Sequence, residues 1–328
     1  MSKLFPRMSR SRALQGAVAG FVVFGLLLWW LLPGETPPGG KIVFSTGSTG
    51  GVYEEYGKDL TQAFAKDMPD LQVDLETSDG SQDNVARVAS GEADFAIAAA
   101  DAVESYALKN PERAARLRGV ARLYDDYVQL VVPRNSAIDS VADLKGKRVA
   151  IGLETSGVRL IATRVLEAAG IDPAEDIKPF AYGINDANQL GHTIDAFFWS
   201  GGLPTNGLKT LARTSSFKFV PIEGDFVTKL HTQSAANRYY RPTNIPESAY
   251  HGQDAYAVPT IAVSNLLITR KDLDPRLTEW LTRTVIRSRD DIGAKVHSAQ
   301  LVDLRTAIYT SPLQLHEGAQ RYYRSVKP

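Results

Sequence analysis

Cysteine is absent from all 328 residues. That excludes disulfides, thiolate metal centres, a cysteine nucleophile and the acylated cysteine of a lipoprotein. Net charge is absent too, 37 basic residues facing 37 acidic ones, so the chain lacks the positive field that a broad nucleic-acid-binding surface needs. Histidine is sparse: His192, His231, His251, His297 and His316 show neither the i,i+4 nor the paired spacing of metal sites, and no metal or cofactor is expected. A phosphate loop fails on spacing, because Lys58 is followed by Asp59 where a hydroxyl is required. Neither a dinucleotide fingerprint in the first glycine-rich turn nor a Gly-x-Ser-x-Gly elbow is present. Repeats of fixed period are missing, which removes solenoids.

The N-terminus is informative. Lys3, Arg7, Arg10 and Arg12 precede an apolar run from Ala13 to Leu32, with Trp29 and Trp30 near its end. A helix of about 20 residues crosses a hydrocarbon core of about 30 Å, and flanking positive charge stays on the cytoplasmic side. Residues 1–12 are therefore expected in the cytoplasm and 13–32 as an anchor in the bacterial inner membrane, with the body on the periplasmic side. A cleaved signal peptide shares the charge pattern, but its apolar region is shorter and ends in small residues, whereas this one ends Trp-Trp-Leu-Leu-Pro. The proline- and glycine-rich segment 33–40 reads as a tether.

Beyond Lys41 the apolar pattern alternates between strand and helix periods. Lys41 to Ser45 is a strand, and Val52, Tyr56, Leu60 and Phe64 recur at helical spacing. Leu71, Val73 and Leu75 alternate as a second strand; Ser81 reads as the cap of a helix carrying Val85, Val88 and Ala89; Asp94 to Ala100 is a buried strand. Tyr127 to Pro133 opens a second unit, whose helix runs from about Gly157 to Ala169 and whose next strand is Ile194 to Ser200. Ala257 to Thr269 is strand-like, and Asp274-Pro275 starts a helix. This order predicts an α/β fold with largely parallel sheets, and the length predicts two lobes. Ligands in such sheets sit beyond the carboxyl ends of strands, in loops.

The richest turn is Thr46-Gly47-Ser48-Thr49-Gly50-Gly51-Val52-Tyr53, between the first strand and first helix. Glycines admit close backbone approach, hydroxyls add hydrogen bonds, and a helix N-terminus favours an anion. A tight turn with an ordinary cap accounts for the same residues, as half-buried packing does for Tyr53 and a helix cap for Asp101. Arg159, in a first helical turn, reads as a solvated surface cation.

The string from Ser45 to Tyr53 resembles the opening of the TAXI-family solute-binding proteins of tripartite ATP-independent periplasmic (TRAP) transporters. Gly80-Ser81 with Asn84, Ala89 to Ile97, Leu144 to Val149, Asp195 to Gly202 with Pro204-Thr205, and Ile245 to Thr260 are similar to later blocks of that family, in the same order. The resemblance implies a two-lobed, type II periplasmic-binding-protein-like fold, with 41–130 and 260–328 as lobe I and 131–259 as lobe II. It implies a cleft that closes on a small anionic solute, glutamate-like or another carboxylate, and delivery to a TRAP-type permease without enzymatic chemistry. Matched position by position, lobe I contributes Ser48, Thr49, Gly50, Gly51, Tyr53 and Asp101. Lobe II contributes Ser156, Gly157, Trp199, Ser200 and Gly201, with Pro204 and Thr205 behind them. The chain departs from the family at Ala99-Ala100, where polar residues are usual, and at Thr155, where glycine is common. A membrane-tethered sensor or scaffold, and a cleft enzyme acting on a small metabolite, remain as alternative functions.

Overall fold

The computed structural model describes residues 36–250 and 256–327. The expected anchor 13–32, the basic segment before it, the start of the tether and the Gly252–Asp254 part of one motif block lie outside the described residues. Among the described residues no helix is long and apolar enough to cross a membrane.

β1 (Gly40–Ser45) lies between β2 (Leu71–Glu76) and β3 (Phe95–Ala99), parallel to both. α1 (Val52–Asp67) joins β1 to β2 and buries Val52, Tyr56, Leu60 and Phe64, the expected stripe. α2 (Ser81–Ser90) joins β2 to β3. Its N-cap is Gly80 instead of Ser81; Ser81 is the first helical residue, and its hydroxyl turns inward to accept from the Ala99 amide at 3.1 Å. α3 (Ala100–Lys109) begins as β3 ends.

β4 (Leu117–Pro133) starts well before the expected Tyr127. Its first half carries Arg118, Arg122, Asp125 and Asp126, which hide the apolar pattern, and pairing with β10 (Val258–Arg270) sets it as strand. The second parallel group is β5 (Arg148–Ala150), β6 (Lys178–Phe180) and β7 (Ala196–Gly201). α4 (Gly157–Ala168), α5 (Asn206–Thr214) and α6 (Gly224–Gln233) belong to this stretch, with the short strands β8 (Phe217–Phe219) and β9 (Arg241–Ile245). The chain closes with α7 (Pro275–Arg287) and α8 (Glu317–Ser325).

The ten strands of the described residues form one sheet, ordered β2-β1-β3-β10-β4-β7-β5-β6, with β8 added to β4 and β9 to β10. The expectation of largely parallel pairing holds only at the two ends. The middle is antiparallel because β4 and β10 run against each other and against β3 and β7. Apolar packing follows the two ends. Phe44, Tyr56, Leu60 and Phe64 cluster with Leu281, Val285 and Tyr322 of the C-terminal helices, while Val149, Ile161, Val165, Phe197 and Phe198 form a separate cluster.

α1 is drawn against the first turn by a missing side chain. A Cβ at Gly57 would collide with Cγ2 of Thr46, which is fully buried and held by its hydroxyl to the Glu76 carbonyl at 2.9 Å. Overpacking costs about 1–3 kcal/mol against a helix gain for alanine of about 1 kcal/mol. Gly57→Ala is therefore expected to lower the urea midpoint of unfolding with an unchanged m-value.

Candidate functional site

A cavity lies where the two ends of the sheet face each other, lined by the β1–α1 turn, the starts of α2 and α4, the end of β7 and the crossing of β4 with β10. It has about 50 Å³ of space for the centres of water-sized atoms. One water needs about 10–15 Å³ on that measure, so this inner space admits one compact group of a solute, such as a carboxylate or an amine, while the cavity continues towards solvent.

Three helix N-termini open onto this space, through Gly51, Val52 and Tyr53 of α1, Gly80 and Ser81 of α2, and Ser156, Gly157 and Val158 of α4. Unsatisfied N–H groups and the helix dipole make each a place for negative charge. Small residues allow the approach: a Cβ on Gly157 would sit 2.9 Å from the Ser81 hydroxyl oxygen, and Gly50 holds a left-handed φ of +79°. The β1–α1 turn is anchored from beneath by the buried Asn84, whose amide donates to the Thr46 carbonyl and, at 2.7 Å, to the Ile97 carbonyl.

Of the residues expected at the site, Ser48, Gly51, Tyr53, Asp101, Ser156, Gly157, Trp199, Ser200 and Gly201 line the cavity. Thr49 is exposed and Gly50 half-buried, and neither is on the wall. Thr205 stands behind the wall: its hydroxyl accepts from the Trp199 indole at 3.0 Å and donates to the Gly202 carbonyl at 2.9 Å. Pro204 precedes it after a cis peptide bond and is likewise off the wall. Ser156 also caps α4, accepting from the Arg159 amide at 2.9 Å. The guanidinium of Arg159 pairs with Glu154 at 2.6 Å.

Asp126 on the wall, with Asn265, Arg164 and Tyr240 behind it, escaped the sequence reading. Asp126 of β4 is buried at the floor and accepts from the Asn265 amide at 2.6 Å. Tyr53 donates to the Asn265 carbonyl oxygen and its hydroxyl lies 3.0 Å from that of Ser81. Asp101 is held by Arg164 of α4 at 3.0 Å and by the Tyr240 hydroxyl at 2.6 Å. A doubled aspartate inside the apolar run Val120 to Val128, and a lone asparagine between Val263 and Leu266, were the available signals.

Asp79, Asp101 and Asp126 line the cavity, and among the described residues no lysine, arginine or histidine does. Burial pushes the Asp101 carboxyl up, opposed by Arg164 and by the Tyr240 hydrogen bond. Burial likewise pushes Asp126 up to about 7, against the pull of Asn265 and with a further push from Asp125 and Asp101.

Two expectations follow. Arg164→Leu strips a buried carboxylate of its counter-ion and is expected to destabilise the fold by roughly 3 kcal/mol, read from the denaturant midpoint. A folded-state pKa above the unfolded value means that the native state holds the extra proton, so the stability contributed by Asp126 is present at low pH and declines as pH rises from about 4 to about 7. Asp126→Asn is expected to gain on the wild type across that window, with unfolding free energies measured at each pH; a constant difference would contradict it.

A sequence profile of the NMT1-like family matches residues 44–326. A protein from Listeria monocytogenes described provisionally as an L-cystine ABC transporter superposes with a TM-score of 0.50 at 19% identity, covering 80% of this chain and 98% of its own. The alkanesulfonate-binding protein SsuA from Xanthomonas axonopodis pv. citri, bound to MOPS, is similar at a TM-score of 0.48 and 16% identity, covering 89% of this chain and 86% of its own. The architecture is the α/β periplasmic-binding-protein-like fold.

Proposed function

The chain belongs to the NMT1-like family, and from that premise we propose that it is a periplasmic solute-binding protein that captures a small carboxylate-bearing solute in the cavity and hands it to a membrane permease. The observation that carries this reading is the convergence of three helix N-termini on one cavity. In a site removed from water, backbone N–H groups and helix dipoles hold a carboxylate without any basic side chain. The two ends of the sheet act as lobes, 41–130 with 260–328 and 131–259, and closure is a population shift driven by the difference in solute affinity between open and closed forms. Reversible binding needs no covalent chemistry. The ordered motif blocks shared with TAXI-family proteins support a TRAP-type permease as the partner, and the basic N-terminal segment followed by an apolar run supports tethering at the periplasmic face of the inner membrane.

Ligand that binds only the native state raises stability by about 2.7 kcal/mol at a hundredfold excess over Kd. Thermal unfolding of the full-length protein with small carboxylates is expected to give a selective rise in Tm with one of them. Ser48→Ala, which removes a wall hydroxyl, is expected to reduce the rise. No shift with any small carboxylate, in a protein that unfolds cooperatively, would favour a scaffold or sensor instead.

A further inference from the structure

The three acids on the wall are not equivalent. Asp101 is neutralised where it stands by Arg164, whose second nitrogen is held by the Ser105 hydroxyl at 2.6 Å. Asp79 is half-buried, accepts from the Thr155 hydroxyl at 2.8 Å and keeps access to water. Asp126 has neither remedy: only 4% of it is exposed, and no lysine, arginine or histidine among the described residues bonds it. The groups that surround it are Tyr53 of α1, Asp101 of α3, Tyr124 and Asp125 beside it on β4, and Asn265 of β10; none is a cation.

Its hydrogen bonding is unfinished as well. The Asn265 amide satisfies Oδ1 at 2.6 Å. Oδ2 has only the Tyr53 hydroxyl, 3.5 Å away, and the single proton of that hydroxyl goes to the Asn265 carbonyl oxygen. The register of β10 against β4 slips between Ser264 and Leu266, and such irregularities re-aim side chains; here the slip falls at Asn265, the residue that fixes Oδ1. A buried carboxylate with one committed donor is costly unless a proton or a cation completes it.

We propose that Asp126 is a specificity-determining residue that receives a protonated amine of the bound solute, so that the cavity selects small molecules carrying a cationic nitrogen beside their acid. This rests on the reading of the cavity as a solute site, with the carboxylate at the helix N-termini. Burial, which pushes the Asp126 carboxyl up to about 7, agrees with it: an arriving ammonium displaces the proton that burial otherwise retains.

The test is calorimetric titration of the full-length protein, wild type and Asp126→Asn, with L-glutamate, with glutarate, which lacks the amine, and with n-butylamine, which lacks the acid. A hydrogen bond to a charged group contributes roughly tenfold or more in affinity. The wild type is expected to bind glutamate at least about tenfold more tightly than glutarate, and the variant to bring the two within a few-fold. Titrations near pH 6.5 in buffers of different ionisation enthalpy are expected to show proton release on glutamate binding, a readout that needs no variant. Glutarate binding as tightly as glutamate, or proton uptake with glutamate, would overturn the amine site while leaving the carboxylate site standing. Binding of n-butylamine that depends on Asp126, with no binding of either acid, would support the amine site and overturn the carboxylate one. No heat with any of the three would overturn both.

Discussion

The antiparallel pairing of β4 with β10 is the constraint on which the rest depends. Leu117 to Tyr127 of β4 is matched with Ala262 to Arg270 of β10, and the far half of β4 continues into pairs with β7 and β8. Two parallel groups that would otherwise be separate sheets are thereby fused edge to edge. The crossing also meets a problem of its own, since both apolar clusters end there and polar side chains face inward. Gln129 and Asn265 are fully buried in it, as is Thr260, whose hydroxyl donates to the Val128 carbonyl. Each buried amide and hydroxyl is stable there because it has a partner.

Electrostatics at the cavity are divided between backbone and side chain. The attraction for an anion comes from helix N-termini that no substitution can delete without moving a helix, whereas the acids are side chains and can be tuned one at a time. Arg164 shows the tuning: it reaches from α4 to the first turn of α3, where a carboxylate is favoured by the dipole but disfavoured by burial. With Asp101 thus neutralised, Asp126 is the buried acid left to set the sign of the field at the floor.

Much of this was legible in the order of residues. Fourfold spacing from Val52 to Phe64 located α1 because a helix packed on a sheet must present one stripe, and the glycine-hydroxyl turn before it located one wall of the cavity. The strand signals, by contrast, carried no information about pairing partners, since an apolar strand such as Phe95 to Ala99 reads alike beside a parallel or an antiparallel neighbour. The first half of β4 was hidden because Arg122, Asp125 and Asp126 break the apolar pattern; their partners, Ser264, Arg241 and Asn265, are far away in the chain. Arg164 was hidden for the same reason, since nothing local to α4 announces a counter-ion on α3. Thr49 and Gly50 were placed on the wall with their neighbours, yet a turn tight enough to bring Gly51 inward faces part of itself outward.

The rigidity of the wall has a traceable origin. The Trp199 indole donates to Thr205, the Thr205 amide donates to the Tyr250 hydroxyl at 2.9 Å, and that hydroxyl donates to Gln129 at 2.7 Å. The relay begins at a side chain that packs near Gly51 across the cavity and ends on the strand that crosses between the two ends. Tyr250 is further clamped by Phe217 and Phe219 at ring separations of 6.3 and 5.6 Å. An aromatic wall fixed in this way is ordered before a solute arrives, so binding need not immobilise it, and the affinity that ordering would otherwise consume is retained. Because the relay terminates at Gln129 of β4, the position of Trp199 is set by hydrogen bonds to the crossing strand as well as by its own loop.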